Sequence, residues 1–144
     1  IFDDNCDFEL GKGIVLKAGK DVTIFATGIM VAEAILAEEE LAKMGISAEV
    51  INIHTIKPLD EELVLKSAKK TGAVVTAENH SVLNGLGGAV AEFLSENYPV
   101  VVKRVGVKDH FGEVGLTPFL QKKYGLTSKE IVEAAKCAIS MKKG

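Results

Sequence analysis

The chain has no tryptophan and, in 144 residues, only two cysteines and three prolines. Cys6 and Cys137 lie near opposite ends of the sequence and form no CxxC or other metal-ligand spacing. Two reduced thiols in a cytosolic protein are therefore expected. No apolar run approaches the ~18–20 residues that a membrane-spanning helix needs. A basic start followed by an apolar signal core is also missing. Neither sign of charge dominates: 17 Lys and Arg face 20 Asp and Glu, for a net charge of −3. That balance argues against a nucleic-acid or polyanion binder. Repeats, low-complexity tracts and long Pro/Ser-rich linkers are absent. The sequence opens Ile1-Phe2-Asp3-Asp4 without an initiator methionine, as expected of a fragment or a processed piece.

The composition that remains, 47% hydrophobic and 26% charged, suffices for one domain with a real core. Short β-branched runs alternate with longer helical patterns. Strands are expected at 22–26, 48–53, 73–77 and 100–107. They are nearly continuous in apolar residues, the pattern of strands covered on both faces. A weaker run at 14–16 is a candidate edge strand, within a linker spanning residues 1–20 that precedes the domain at 21–144.

Helix punctuation fills the gaps. Met30, Ala34, Ala37, Leu41 and Met44 recur at helical spacing, and Gly45 stops them. Asp60 is placed to cap the next helix, with Leu59 and Val64 positioned as a hydrophobic staple, and Gly72 ends it. A third helix is expected over about 87–97, with Val90, Phe93 and Leu94 inward. A further one starts at Thr117-Pro118 and stops at Gly125. Thr127-Ser128-Lys129-Glu130 fits a capping box before a last helix. The order β-α-β-α-β-α-β-α-α predicts a three-layer α/β fold with a mostly parallel sheet of about five strands.

Ligands in such sheets bind outside the carboxyl ends of the strands, near a reversal of strand order. Thr27 and Gly28 follow the first main strand and precede a helix, where backbone N–H groups can hold an anion. A tight turn alone also explains Gly28, and it is the stronger reading, since neither GxGxxG nor a Walker A loop is present. The densest glycine cluster, Asn84-Gly85-Leu86-Gly87-Gly88, opens the third helix. It suits either a phosphate cradle or close packing on a strand or a neighbouring subunit.

His54, His80 and His110 each follow an expected strand, with Glu78, Asp109 and Glu113 near them in sequence. Each histidine belongs to a separate loop, and no HxH or HxxxH spacing supports shared ligation, so no metal site is expected. Glu78 and His80, two apart at a strand end, are the better pair for an interface or a small anion. The candidate anion or interface site thus comprises Thr27, Gly28, Glu78, His80, Gly85, Gly87 and Gly88. No nucleophile signature such as GxSxG appears, and neither cysteine sits beside a histidine.

Longer strings of residues carry a resemblance. Asp21-Val22-Thr23-Ile24-Phe25-Ala26-Thr27-Gly28 resembles the DVTIxATG opening of the transketolase C-terminal domain. Thr55-Ile56-Lys57-Pro58-Leu59-Asp60 resembles its TIKPLD turn. Thr76-Ala77-Glu78-Asn79-His80 with Gly85-Leu86-Gly87-Gly88-Ala89-Val90 resembles its TxEEH…GGLGxAV stretch, with Asn79 and Asn84 as departures. Val105 to Asp109, Phe111-Gly112-Glu113 and Tyr124-Gly125-Leu126-Thr127 resemble its closing segment. Deoxyxylulose-phosphate synthase and the β subunits of 2-oxoacid dehydrogenases share this domain.

The resemblance implies the C-terminal piece of a cytoplasmic, dimeric transketolase of the pentose phosphate pathway. Such an enzyme moves two-carbon ketol units between sugar phosphates. Thiamine diphosphate and Mg²⁺ would belong to the complete enzyme, held by a GDG…N motif that this sequence lacks. The domain itself would bind no cofactor and supply no catalytic residue. Its partners would be the thiamine-binding domains or subunit, and its roles dimerisation, support and regulatory anion binding. The alternatives are a partner-docking domain of a 2-oxoacid dehydrogenase and a stand-alone anion- or nucleotide-binding module.

Overall fold

In the computed structural model, the described residues are 13–28, 30–53, 59–81, 85–107 and 127–142, with backbone alone at 79–81 and 107. They form β1 (Ile14–Lys17), β2 (Val22–Ala26), α1 (Met30–Lys43), β3 (Ala48–Asn52) and α2 (Glu61–Thr71). β4 (Ala73–Ser81), α3 (Leu86–Asn97), β5 (Val101–Val107) and α4 (Ser128–Met141) follow. The helix expected from Thr117 to Gly125 lies outside the described residues.

The five strands make one sheet in the order β1-β3-β2-β4-β5. β2 is parallel to β3, from Val22 against Ala48 to Ala26 against Asn52. It is also parallel to β4, from Thr23 against Val74 to Ala26 against Ala77. β4 is parallel to β5, while β1 alone runs antiparallel, against β3. The expected α/β architecture with a mostly parallel sheet of about five strands is therefore observed. The weak run at 14–16 is the edge strand, and its pairing is irregular between Val15 and Lys17. Such a break, with Lys17 pointing out, suits a short strand with an open edge.

Alternation along the strands sorts the core into two halves. Val22, Ile24 and Ala26 of β2 face α1 and α4 together with Val50, Val75 and Ala77. Phe25 faces α2 and α3 together with Ile51, Ile53 and Val74. This is why the β2 run reads as unbroken: all five of its residues are buried. The connections follow from it. β2 leads through α1 to β3 on one side, and β3 leads through α2 back past β2 to β4 on the other. Right-handed crossovers in opposite directions put α1 and α2 on opposite faces.

The helix ends match their sequence signals. Asp60 accepts the Leu63 N–H at 3.2 Å as the α2 cap, and its other oxygen accepts the Gly13 N–H at 2.9 Å. Leu59 packs against the core half that contains Val64. Gly45 and Gly72 lie in the left-handed region, at φ 79° and 73°. Glu130 reaches back to the Thr127 N–H at 3.1 Å. The α4 start has a second acceptor that no local pattern signals: Glu33 of α1 takes the Ser128 N–H at 2.7 Å.

Polar side chains inlaid toward the amino edge of the sheet fasten α2. The Thr23 and Thr71 hydroxyls lie 2.9 Å apart. Glu49 of β3 is buried, and one oxygen accepts from Lys70 Nζ at 2.5 Å, while its other oxygen has no partner among the described residues. Lys142 Nζ, just past α4, donates to the Asp21 and Thr71 carbonyls at 2.9 and 3.0 Å.

The Glu49–Lys70 pair is lopsided, because the Glu49 side chain is 4% exposed and that of Lys70 44%. Removing the lysine alone strands a buried carboxylate. Lys70→Met is therefore expected to cost about 2–3 kcal/mol. The double variant Glu49→Met with Lys70→Met should regain most of that loss. Urea denaturation of the three proteins checks both values, and a double variant no better than Lys70→Met would contradict the burial argument.

Candidate functional site

Strand order reverses at β2, whose two neighbours β3 and β4 are reached in opposite directions. The reversal opens a crevice at the carboxyl ends of β2 and β4, the usual ligand position of this architecture. Five of the seven residues singled out in the sequence, Thr27, Gly28, Glu78, Gly85 and Gly87, lie at that edge. Thr27 and Gly28 leave β2, and the Thr27 N–H donates to the Ala77 carbonyl of β4 at 3.1 Å. Gly28 has φ 62°, a left-handed conformation that glycine adopts without steric cost. The carbonyls of Thr27 and Gly28 accept from Met30 and Val31 and begin α1.

Glu78 comes next along β4 after Ala77, and it is fully buried. Its two carboxylate oxygens accept separately from the first turn of α3: the Leu86 N–H at 2.7 Å and the Gly87 N–H at 2.6 Å. Both distances are short, as charge-assisted hydrogen bonds are. The contact also explains why β4 runs to Ser81 when the sequence pattern stops at Ala77. A polar Glu-Asn-His-Ser tail reads as loop unless its first carboxylate has an internal partner.

Gly85 is the N-cap of α3 and brings no side chain to cap it. Gly87 is buried, and a β-carbon there would lie 2.9 Å from both Thr76 Oγ1 and Arg104 Cδ. The glycine thus lets α3 lie directly on β4 and β5. Gly88 is half-buried in the same turn. The His80 backbone continues β4, and its side chain is not among those described. His54, Asp109, His110 and Glu113 lie outside the described residues. Among the described residues, no three His, Cys, Asp or Glu side chains come together as a metal site would require. None of the described helices is long and apolar enough to cross a membrane.

The sequence profile of the family "Transketolase, C-terminal domain" matches residues 11–131. The chain belongs to that family. Among curated relatives, it is 67% identical over 132 residues to the 6-deoxy-6-sulfo-D-fructose transketolase subunit SqwH of Clostridium sp. (strain MSTE9). That match covers 92% of this chain and 41% of the relative. It is 46% identical over 132 residues to a putative transketolase C-terminal section of Methanocaldococcus jannaschii, again 91% of this chain and 41% of the relative. A solved structure described as a split gene transketolase, inactive beta4 tetramer, superposes with a TM-score of 0.91 at 52% identity. It covers 99% of this chain and 46% of that one. The chain therefore spans less than half the length of these relatives.

The two crevice glycines should differ in what they tolerate. Gly28→Ala meets a left-handed backbone preference worth about 1–2 kcal/mol. Gly87→Ala, inside a helix and free of that backbone preference, must instead push the helix from the strands beneath it, at about 1–3 kcal/mol of overpacking. In urea denaturation, a Gly87→Ala protein as stable as the parent would mean that α3 does not rest on β4 and β5 as described.

Proposed function

We propose that this chain is the C-terminal component of a transketolase, a transferase of two-carbon ketol units that depends on thiamine diphosphate. In this reading it supports the thiamine-binding component and supplies no catalytic residue. The observation that carries the proposal is 67% identity across 92% of the chain to a protein named as a transketolase subunit. Similarity to a solved structure described as a split gene transketolase, at 52% identity, points the same way. The 2-oxoacid dehydrogenase reading has no comparable support.

The cofactor belongs to the other component. The sequence has no GDG motif, and thiamine diphosphate with Mg²⁺ asks for a carboxylate and amide donor set that the described crevice does not offer. The Leu86 and Gly87 N–H groups, the ready anion donors there, are engaged by Glu78. Of the candidate residues, Thr27, Gly28 and Gly88 are at least partly exposed and would belong to an interface edge for the thiamine-binding component, with Glu78, Gly85 and Gly87 buried beneath it. The assembly would work in the cytoplasm, as a homodimer of paired components or a higher assembly.

Two ketol donors fit this reading. One is a pentose-phosphate-pathway sugar, and the other is the 6-deoxy-6-sulfo-D-fructose in the name of the 67%-identical relative. The test is a ketol-transfer assay with thiamine diphosphate and Mg²⁺, using xylulose 5-phosphate or 6-deoxy-6-sulfofructose as donor. It compares this chain, a thiamine-binding component bearing GDG…N, and the two mixed. Turnover in the mixture alone is the expected result, and the donor ratio assigns the substrate. A mixture no faster than the thiamine-binding component alone would remove the support role.

A further inference from the structure

We propose that the first turn of α3 is an anion site that carries its own anion, the Glu78 carboxylate, and is thereby closed to phosphate. The inference stands on local geometry and is independent of the assembly reading.

A twelve-residue helix beginning at Leu86 presents two consecutive backbone N–H groups and the positive end of its dipole. Those features ordinarily suit a phosphate or carboxylate from outside. Here each N–H meets its own oxygen of one carboxylate, at 2.7 and 2.6 Å, in the two-pronged arrangement an oxyanion would adopt. The occupant is built in. Glu78 is eight residues upstream of Leu86 and on a strand already fixed by β2 and β5. Its effective concentration at the turn far exceeds that of any free metabolite.

Displacement is costly from both sides. A phosphate entering the turn would leave the Glu78 carboxylate, fully buried, without those two donors and close to a second negative charge. The backbone at Gly87 is so close to β4 and β5 that even a β-carbon would reach Thr76 Oγ1 and Arg104 Cδ at 2.9 Å. Gly87 therefore serves close approach of the helix to the sheet, and a phosphate would have to be held elsewhere than at this turn.

The test uses the 144-residue chain as the parent and as Glu78→Ala and Glu78→Gln. Inorganic phosphate and sodium formate are the probes, with sodium chloride at equal ionic strength as control. In the parent, the Leu86 and Gly87 amide resonances should ignore phosphate, and formate should move Tm no more than chloride does. Glu78→Ala should lose on the order of 10 °C in Tm. Formate, a carboxylate small enough for the vacated space, should restore most of that loss while chloride does not. Saturable phosphate shifts at Leu86 and Gly87 in the parent would overturn the proposal, as would a Glu78→Ala protein indifferent to formate. If Glu78→Ala does not fold, Glu78→Gln decides. Hydrogen exchange at Leu86 and Gly87 should quicken tenfold or more, and unchanged exchange would refute the charged clasp.

Discussion

β2 is hydrogen-bonded along both edges and covered on both faces, and most of the architecture follows from accommodating it. A strand with no wet side must be apolar or must find internal partners for what is not. Its one polar side chain, Thr23, is paired with Thr71 and the Ser67 carbonyl at the end of α2. Because β3 and β4 flank it, the chain has to cross β2 between them, and that crossing sends α1 and α2 to opposite faces. The crevice at the carboxyl edge is thus a geometric consequence of burying β2. Thr27 and Gly28 border it because they are the first residues past the covered strand.

Carboxylates do much of the fastening in this protein. Asp21 accepts from Ser47, Asp60 from Gly13 and Leu63, Glu33 from Ser128, and Glu78 from Leu86 and Gly87. In each case a side chain of one element satisfies backbone donors of another, or of a helix start that has no partners of its own. Such contacts fix how elements meet more firmly than apolar packing does, since packing tolerates small slips and a bidentate hydrogen bond does not. They also change how acidic residues near a crevice are to be read. Glu78 has the placement of a catalytic carboxylate and the hydrogen bonding of a structural one.

The fold was largely legible in the sequence because its signals are local. Apolar runs marked the strands, Gly45 and Gly72 the helix stops, and Asp60 and Thr127-Glu130 the helix starts. What was missed is non-local. Glu33 is 95 positions from Ser128, Lys142 is 121 from Asp21, and Glu49 is 21 from Lys70. No periodicity links such partners. The candidate site was legible in part: Thr27, Gly28, Glu78, Gly85 and Gly87 do meet at one edge of the sheet. The sequence pattern could not reveal that Glu78 turns onto the helix start of Gly87, because that requires knowing that α3 lies flat on β4. The shared anion role expected of these residues and the length of β4 both hinge on that one contact.

The relatives bear on what a domain of this kind contributes to catalysis. The unit is 67% identical to part of a sulfosugar transketolase subunit and 40% identical, over 128 residues, to part of a 1-deoxy-D-xylulose-5-phosphate synthase from Heliobacterium modesticaldum. Those names denote different overall reactions, yet the same unit accompanies both. A residue that selected the substrate would be expected to differ between such proteins in chemistry as well as in detail. At the carboxyl edge of the sheet, the buried carboxylate of Glu78 is committed to the chain's own backbone. What the described residues present is a two-sided core around β2 and one edge fixed by hydrogen bonds. In the reading proposed above, such an edge is what a neighbouring component would need for its cofactor and substrate groups to be held to within a fraction of an ångström.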